Sequence, residues 1–191
     1  MIRIIKNDLE NHYKLYDIND GVKFNLNQVK YESKIAHAKY LKYFKEQNES
    51  STWGYKYYNL FSLTAGSPQF YNIFQYIKEA SLEYLGGKSE NLFMECWINY
   101  HKPEEVLDWH DHKNYLCHGY LSIDPKNSIT EFENYKIENK PGQIYIGPSD
   151  RLHRVVLNEP FNGVRITIAF NITNLETIKN QPDLNFSLIP I

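Results

Sequence analysis

Hydrophobic and polar residues follow two different periods along the chain, and the period changes near residue 90. The segment from Pro68 to Leu85 repeats its apolar side chains at helical spacing, at Phe70, Ile73, Phe74, Ile77, Ala80 and Tyr84. Ser67 provides a helix cap, proline suits the first turn, and Gly86-Gly87 ends the helix. A weaker helical pattern runs from Gln28 to Lys45, so residues 1–90 are predicted to be helical and irregular.

From Asn91 onward the pattern is typical of short strands. Seven segments rich in β-branched and aromatic residues are separated by turn sequences: FMECWINYH, EVLDWH, CHGYLSID, ITEFENYKI, QIYIG, HRVVL and GVRITIAFN. This spacing favours an all-β sandwich or barrel over a parallel α/β sheet. We predict one domain, 1–191, that is mainly β with flanking helices. Residues 1–90 would support a jelly-roll core at 91–172 that carries the site, and 173–191 would form a C-terminal tail.

Composition and charge narrow the classes of partner. The 191-residue chain has a net charge of -2, without the basic patch expected for binding nucleic acid. Cys96 and Cys117 match no metal motif and are interpreted as buried small hydrophobic residues. No signal peptide and no apolar run of membrane-spanning length is recognisable. We therefore expect a cytoplasmic protein, with no membrane partner, that acts on a small molecule or a peptide; the oligomeric state is left open.

Candidate metal chemistry is concentrated in the segment Asp108-Trp109-His110-Asp111-His112. In an extended strand, residues i and i+2 project to the same face, so His110 and His112 would point one way and Asp111 the other. His153 opens a later strand and is the candidate third ligand. Imidazole nitrogens suit iron, zinc, copper or nickel. The alternative from spacing alone is a polar strand end without metal.

The last predicted strand, from Gly163 to Asn171, carries a second candidate site. One face is apolar, and the other presents Arg165 and Thr167. If the strand is enclosed on both faces, the guanidinium needs an anionic partner. That partner is either a bound carboxylate, which Arg holds through two parallel N–H bonds, or a neighbouring Asp or Glu in a structural ion pair.

At this point the sequence resembles the Fe(II)/2-oxoglutarate-dependent oxygenases, and in particular their phage and bacterial branch. The resemblance covers roughly residues 70 to 172 and rests on a series of short motifs in order: Trp97-Ile-Asn99, His110-Asp-His112, Gly119-Tyr120-Leu121, Pro141-Gly142, His153 and Arg165-x-Thr167-x-x-Phe-Asn171. It implies a double-stranded β-helix, related to the cupins, with iron at one mouth.

The resemblance also implies an activity and roles for residues. His110, His112 and His153 would hold Fe(II), and Arg165 with Thr167 would bind the far carboxylate of 2-oxoglutarate. Tyr100 is a further candidate contact to 2-oxoglutarate. The implied reaction couples oxidative decarboxylation of 2-oxoglutarate to oxidation of a substrate, usually hydroxylation. His112 departs from the family, which has a carboxylate there, and Asp111 is the alternative ligand if the strand is bulged.

Two other functions are compatible with these residues. One is a cupin-like three-histidine enzyme that does not use 2-oxoglutarate, such as a thiol dioxygenase or an isomerase. The other is a non-catalytic jelly-roll binding module. Aromatic residues at Trp109, at Tyr115 and between Trp53 and Tyr58 are candidates for an entrance wall. The remaining histidines are interpreted as structural or surface residues: His12, His37, His101 and His118. Alternatively, His118 borders the site.

Overall fold

The chain forms two antiparallel sheets with helices on one side. The computed structural model describes residues 2–18, 25–43, 58–87, 91–105, 107–180 and 187–191. Its helices are α1 (Leu26–Tyr43), α2 (Leu60–Leu63), α3 (Pro68–Tyr84) and α4 (Leu175–Asn180). Its strands are β1 (Arg3–Asp8), β2 (Tyr13–Asp17), β3 (Leu92–His101), β4 (Leu107–His110), β5 (Cys117–Asp124), β6 (Ser128–Phe132), β7 (Lys136–Glu138), β8 (Gln143–Gly147), β9 (His153–Leu157), β10 (Arg165–Asn174) and β11 (Ile189–Pro190).

The strands are divided into a larger and a smaller sheet. The larger has seven strands in the order β1-β2-β8-β5-β10-β3-β11, and the smaller has four in the order β4-β9-β6-β7. Every recorded pairing is antiparallel, including the long ladder between β10 and β3, in which Arg165 is opposite His101 and Thr167 is opposite Asn99. A cavity lined by residues of both sheets lies between them, so the two sheets face each other as in a jelly roll.

The two faces of β10 have different surroundings: one belongs to the hydrophobic core and the other to the cavity. Its apolar face carries Ile166, Ile168 and Phe170, which belong to the same buried cluster as the inward face of α3. Its other face carries Arg165 and Thr167 and lines the cavity. Because the strand is covered on both faces, it is buried along almost its whole length.

The predicted fold class is confirmed: the chain is mainly β, with flanking helices. The helix predicted from Pro68 is α3, and the Ser67 side chain accepts a hydrogen bond from the backbone N–H of Phe70. The prediction that residues 1–90 are helical and irregular missed β1 and β2, which form a hairpin on the edge of the larger sheet. The segment ITEFENYKI was expected as one strand and is a hairpin of β6 and β7.

Other expectations concern burial and the membrane. Both cysteines are fully buried and unpaired, as predicted, and burial raises the pKa of each thiol. Within the described part of the chain, no helix is both long and apolar enough to cross a membrane. In the proposed C-terminal tail, β11 pairs with β3.

Candidate metal centre and anion pocket

Two of the predicted metal ligands lie side by side on the smaller sheet. His110 ends β4, His153 begins β9, and the two are paired in register with ring centroids 4.3 Å apart. Each ring makes a hydrogen bond from Nδ1 to a backbone carbonyl two residues earlier, at 2.7 Å to Asp108 and 2.9 Å to Arg151. A carbonyl only accepts, so Nδ1 carries the proton and the Nε2 lone pair of each ring is available to a metal ion.

The third histidine, His112, joins them from a loop. The expectation that His110 and His112 share one strand was wrong, because β4 ends at His110. Beyond β4, the chain is held by the loop between β8 and β9, where the His112 backbone N–H donates to Ser149 O at 2.8 Å. Nitrogens of the three rings nevertheless lie within 4.8 Å of one another. The structure thus brings together all three residues that the sequence singled out as ligands.

Burial favours the neutral form of two of these rings, His112 and His153. Desolvation, followed by the proximity of His110, lowers the pKa of His153 to about 4. Desolvation also lowers the pKa of His112 well below the ordinary value, with His153 and His110 adding to the effect. Neutral imidazole is the form that binds a metal ion, so these two rings can accept a cation near neutral pH without first losing protons.

The alternative ligand Asp111 has a different partner. Its carboxylate forms an ion pair with Lys113 at 2.9 Å, and the hydrogen bond from that lysine lowers the pKa of Asp111. Asp111 lines the cavity, but its carboxylate is not among the potential ligand atoms that lie within 4.8 Å of one another. Between the two candidates for the third ligand, the geometry favours His112.

Arg165 lies in the same cavity, which has a volume of about 280 Å³. Its side chain is only 4% exposed, and burial lowers its pKa to about 10. Among the described residues, no Asp or Glu forms an ion pair with it; its Nη2 instead donates to Nδ1 of His101 at 2.8 Å. Since Arg can only donate, that nitrogen of His101 is an acceptor and the ring is neutral. A structural ion pair with a described carboxylate, the alternative from sequence, is therefore absent.

Several polar atoms around Arg165 have hydrogen-bonding capacity that is not used within the protein. Thr167 Oγ1 accepts a hydrogen bond from Asn99 Nδ2 at 3.3 Å, which leaves the Thr167 hydroxyl proton available to a ligand. The Oδ1 atom of Asn99 and the hydroxyl of Tyr120 are buried without a hydrogen-bond partner. Burial raises the pKa of Tyr120, so its phenol is a donor at neutral pH. Buried polar groups of this kind cost free energy unless a ligand or water satisfies them.

The assignment of Tyr100 to this pocket is corrected by the structure. Tyr100 is opposite Ile166 in the ladder, on the apolar face of the larger sheet, and its ring stacks on His37 of α1 at 5.3 Å. Its distance of three residues from Trp97 places it on the other face of β3, because side chains alternate along a strand. Tyr120 is the tyrosine that lines the cavity beside Arg165.

Two histidines assigned to structure or surface lie at the site instead. His101 bonds to Arg165, and His118 stacks on His112 with ring centroids 3.7 Å apart and planes 4° apart. The signal that would have identified His101 is alternation along β3, which puts it on the same face as Trp97 and Asn99. His118 is the second residue of β5 and lies on the face shared with Tyr120, so the same rule applies to it.

Of the aromatic residues proposed for an entrance wall, the described ones do not line the cavity. Trp109 is 41% exposed, carries Arg154 over its ring at 4.9 Å, and does not line the cavity. Tyr115 donates its hydroxyl to Glu95, and Tyr58 is buried against Tyr40. The rest of that prediction, residues 53–57, lies outside the described residues.

Comparison with known proteins gives structural but not sequence relatives. The sequence matches no protein-family model and no curated protein. Among solved structures, the chain is similar to SnoK, a non-haem alpha-ketoglutarate-dependent carbocyclase from nogalamycin biosynthesis. That match has a TM-score of 0.57 and 11% identity, and it covers 86% of this chain and 80% of SnoK. The chain shares its fold with this carbocyclase.

Other solved structures match over smaller parts. A 2OG-Fe(II) oxygenase family oxidoreductase from Burkholderia pseudomallei matches with a TM-score of 0.42 and 12% identity, over 60% of this chain. A structure of DMSP lyases matches with a TM-score of 0.34 and 16% identity, over 41% of this chain. The chain spans 56% and 37% of the length of these two structures, respectively.

Proposed function

We propose that the protein is a non-haem Fe(II)- and 2-oxoglutarate-dependent oxygenase that hydroxylates a small molecule or a peptide. The observation that carries the proposal is the joint lining of one cavity by a three-histidine cluster and by a buried arginine without a described acidic partner. The first feature suits a divalent metal ion, and the second suits a carboxylate. An Fe(II)/2-oxoglutarate enzyme needs both at short range.

The residues fit the proposed groups in chemistry as well as position. His110, His112 and His153 would hold the iron through neutral nitrogens. Arg165, with Thr167 and Tyr120 as further donors, would bind the carboxylate of 2-oxoglutarate that is remote from the metal. Together, iron and 2-oxoglutarate supply the oxidising chemistry when they are bound. The chain's own contribution is to orient the cosubstrate through these donors and to enclose it between two sheets, away from bulk water.

The metal part of the proposal is tested by titrating the protein with Co(II), or anaerobically with Fe(II). We expect one ion per chain. We also expect a loss of affinity greater than about 100-fold for His110→Ala, His112→Ala and His153→Ala, since each removes a direct ligand and outer partners already account for about 10–100-fold. His12→Asn is the control, because His12 has a backbone φ of 57°, which asparagine tolerates. Loss of the metal with Asp111→Ala and its retention with His112→Ala would show that the third ligand is assigned wrongly.

The cosubstrate part is tested by adding 2-oxoglutarate to the metal-loaded protein without oxygen and following the visible absorption band. Arg165→Ala should weaken 2-oxoglutarate binding by about 30-fold or more, because truncating one partner of a buried charge pair costs about 2–5 kcal/mol. Arg3→Ala, at a distant exposed arginine paired with Asp17, is the control. Metal binding with no response to 2-oxoglutarate would instead favour a three-histidine enzyme that does not use it.

A further inference from the structure

The three candidate ligands are not held in the same way. His110 and His153 each have a backbone carbonyl that fixes the ring. For His112, none of the described residues makes a hydrogen bond to the ring, although its backbone is anchored at Ser149. A ligand whose side chain is free to change rotamer loses binding free energy when it is immobilised on a metal. Something other than a hydrogen bond must therefore orient this imidazole.

The His118 ring is the group that lies against it. The two imidazoles are parallel, 4° apart, with centroids 3.7 Å apart, while the Trp97 ring is farther away at 5.8 Å and tilted by 33°. His118 is 4% exposed and lies on β5, in the centre of the larger sheet. It is thus a rigid, flat surface that limits the rotation of the His112 ring.

His118 is itself fixed by a chain of hydrogen bonds. Glu95 accepts at one oxygen from Tyr115 Oη at 2.7 Å and from Asn171 Nδ2 at 2.8 Å. A carboxylate that accepts from the amide sets the orientation of Asn171, so its Oδ1 faces His118 Nδ1 at 2.9 Å and receives the ring proton. Glu95 and Asn171 are both almost completely buried. The chain therefore fixes both the orientation and the tautomer of the His118 ring.

We propose that His118 is a positioning residue of the metal centre, and that its ring, braced by Asn171 and Glu95, orients His112 as the third ligand. The inference rests on the metal centre proposed above. His118 does not belong to the group of nitrogens within 4.8 Å of one another, so it acts through His112 rather than as a fourth ligand. The stacked His118 ring orients the His112 ring, as backbone carbonyls orient the rings of His110 and His153.

The test compares variants of the full chain by Co(II) affinity and by the visible spectrum of bound Co(II), which reports ligand geometry. His118→Ala removes the stacking surface and should weaken Co(II) binding by about 10–100-fold, the range measured for outer partners of metal ligands, and alter the spectrum. His118→Phe keeps a flat ring against His112 and should restore most of the affinity. Asn171→Ala removes the brace but not the ring, and should give a smaller loss than His118→Ala.

Thr173→Val is the matched control. Thr173 is fully buried two residues beyond Asn171 on β10, and its hydroxyl has no hydrogen-bond partner, so Co(II) binding should not change. Thermal unfolding of each variant shows whether affinity is measured on folded protein. His118→Ala that is folded and binds Co(II) like the wild type would overturn the proposal, as would His118→Phe that loses as much affinity as His112→Ala. A wild type that binds no Co(II) would refute the metal centre itself, a different failure.

Discussion

Arg165 and its neighbours show how a small number of side chains define the anion pocket. The guanidinium is buried beside a neutral histidine, and two further donors line the same cavity: Thr167 on β10 and Tyr120 on the neighbouring strand β5. Uncompensated positive charge at low dielectric attracts an anion strongly. The identity of the neighbouring phenol matters because its proton is available to that anion.

Tyrosine variants separate the two candidates for this phenol. Tyr120→Phe should weaken 2-oxoglutarate binding by about 10–100-fold, because a hydrogen bond to a charged group contributes about 1.5–3 kcal/mol. Tyr100→Phe should leave binding unchanged, since Tyr100 packs against His37 on the opposite face of the sheet. The measurement is the dissociation constant of 2-oxoglutarate for the Co(II)-loaded protein. Equal losses in both variants would contradict the position assigned to Tyr120.

Alternation along strands explains which site residues were predictable from sequence. Arg165 and Thr167 are two residues apart on one strand, so their shared face followed directly from the pattern. Tyr100 was assigned to the pocket because it lies three residues after Trp97. An odd spacing places two side chains on opposite faces of a strand, so the assignment ignored the alternation. For His118 the sequence offered a place bordering the site only as an alternative. Its contact with His112 was not predicted, because that contact joins a strand to a loop and the path of a loop cannot be derived from periodicity.

At the scale of elements, the close approach of β5, β8 and β10 leaves room for only one residue type. A Cβ atom added at Gly119 would lie 2.3 Å from the Phe170 ring and 2.5 Å from the backbone oxygen of Tyr145. The ring could shift, but the strand backbone of β8 is held by its ladder with β5. Glycine at this position therefore sets the distance from β5, which carries His118 and Tyr120, to its neighbours β8 and β10.

Substitution of Gly119 by alanine should destabilise the protein by about 1–3 kcal/mol, the usual cost of overpacking a well-packed interior. Gly66→Ala is the control, since an added Cβ there has nothing within 4 Å and its φ is not positive. Urea unfolding followed by tryptophan fluorescence gives the free energy of unfolding of both variants. A Gly119→Ala protein as stable as Gly66→Ala would mean that the sheet yields more easily than its ladder indicates.

The helices and strands differed in how well they could be predicted from the sequence. The α3 helix was predictable at both ends, because cap, proline and glycines mark its boundaries. The β1–β2 hairpin was missed because β1 is an edge strand whose residues are exposed on both faces, so it lacks the alternation by which strands are recognised. In the β6–β7 hairpin, the turn at Glu133 and Asn134 contains neither glycine nor proline, which removed the usual sign of a break.

For the molecule as a whole, the buried histidines couple stability to pH. Burial, followed by nearby Arg165, lowers the pKa of His101 to about 3, and burial lowers that of His153 to about 4. The pKa of His118 is also lowered by burial. In the unfolded chain these rings take up protons near pH 6.5. Between about pH 6.5 and 4 the unfolded state therefore binds protons that the folded state does not, and stability falls as the pH falls.

We expect the free energy of unfolding of the metal-free protein to be nearly constant from pH 8 to 7 and to decrease below about pH 6.5, by up to about 1.4 kcal/mol per pH unit for each ring. Urea unfolding at a series of pH values measures this slope. His118→Phe should reduce it by up to one proton's contribution. A stability that stays flat down to pH 5 would show that the rings are protonated in the folded state.

The central place of β10 in the larger sheet has a consequence for how the chain is made. On the ribosome, β3 and β5 are synthesised long before β10, which later lies between them. Until Asn174 has emerged, two long apolar strands present unpaired edges, and such edges recruit other chains. A nascent chain stopped before Arg165 would already contain every histidine of the metal cluster, yet it could not close its sheet. The nascent chain is therefore most prone to association with other chains in the interval between the synthesis of β5 and that of β10.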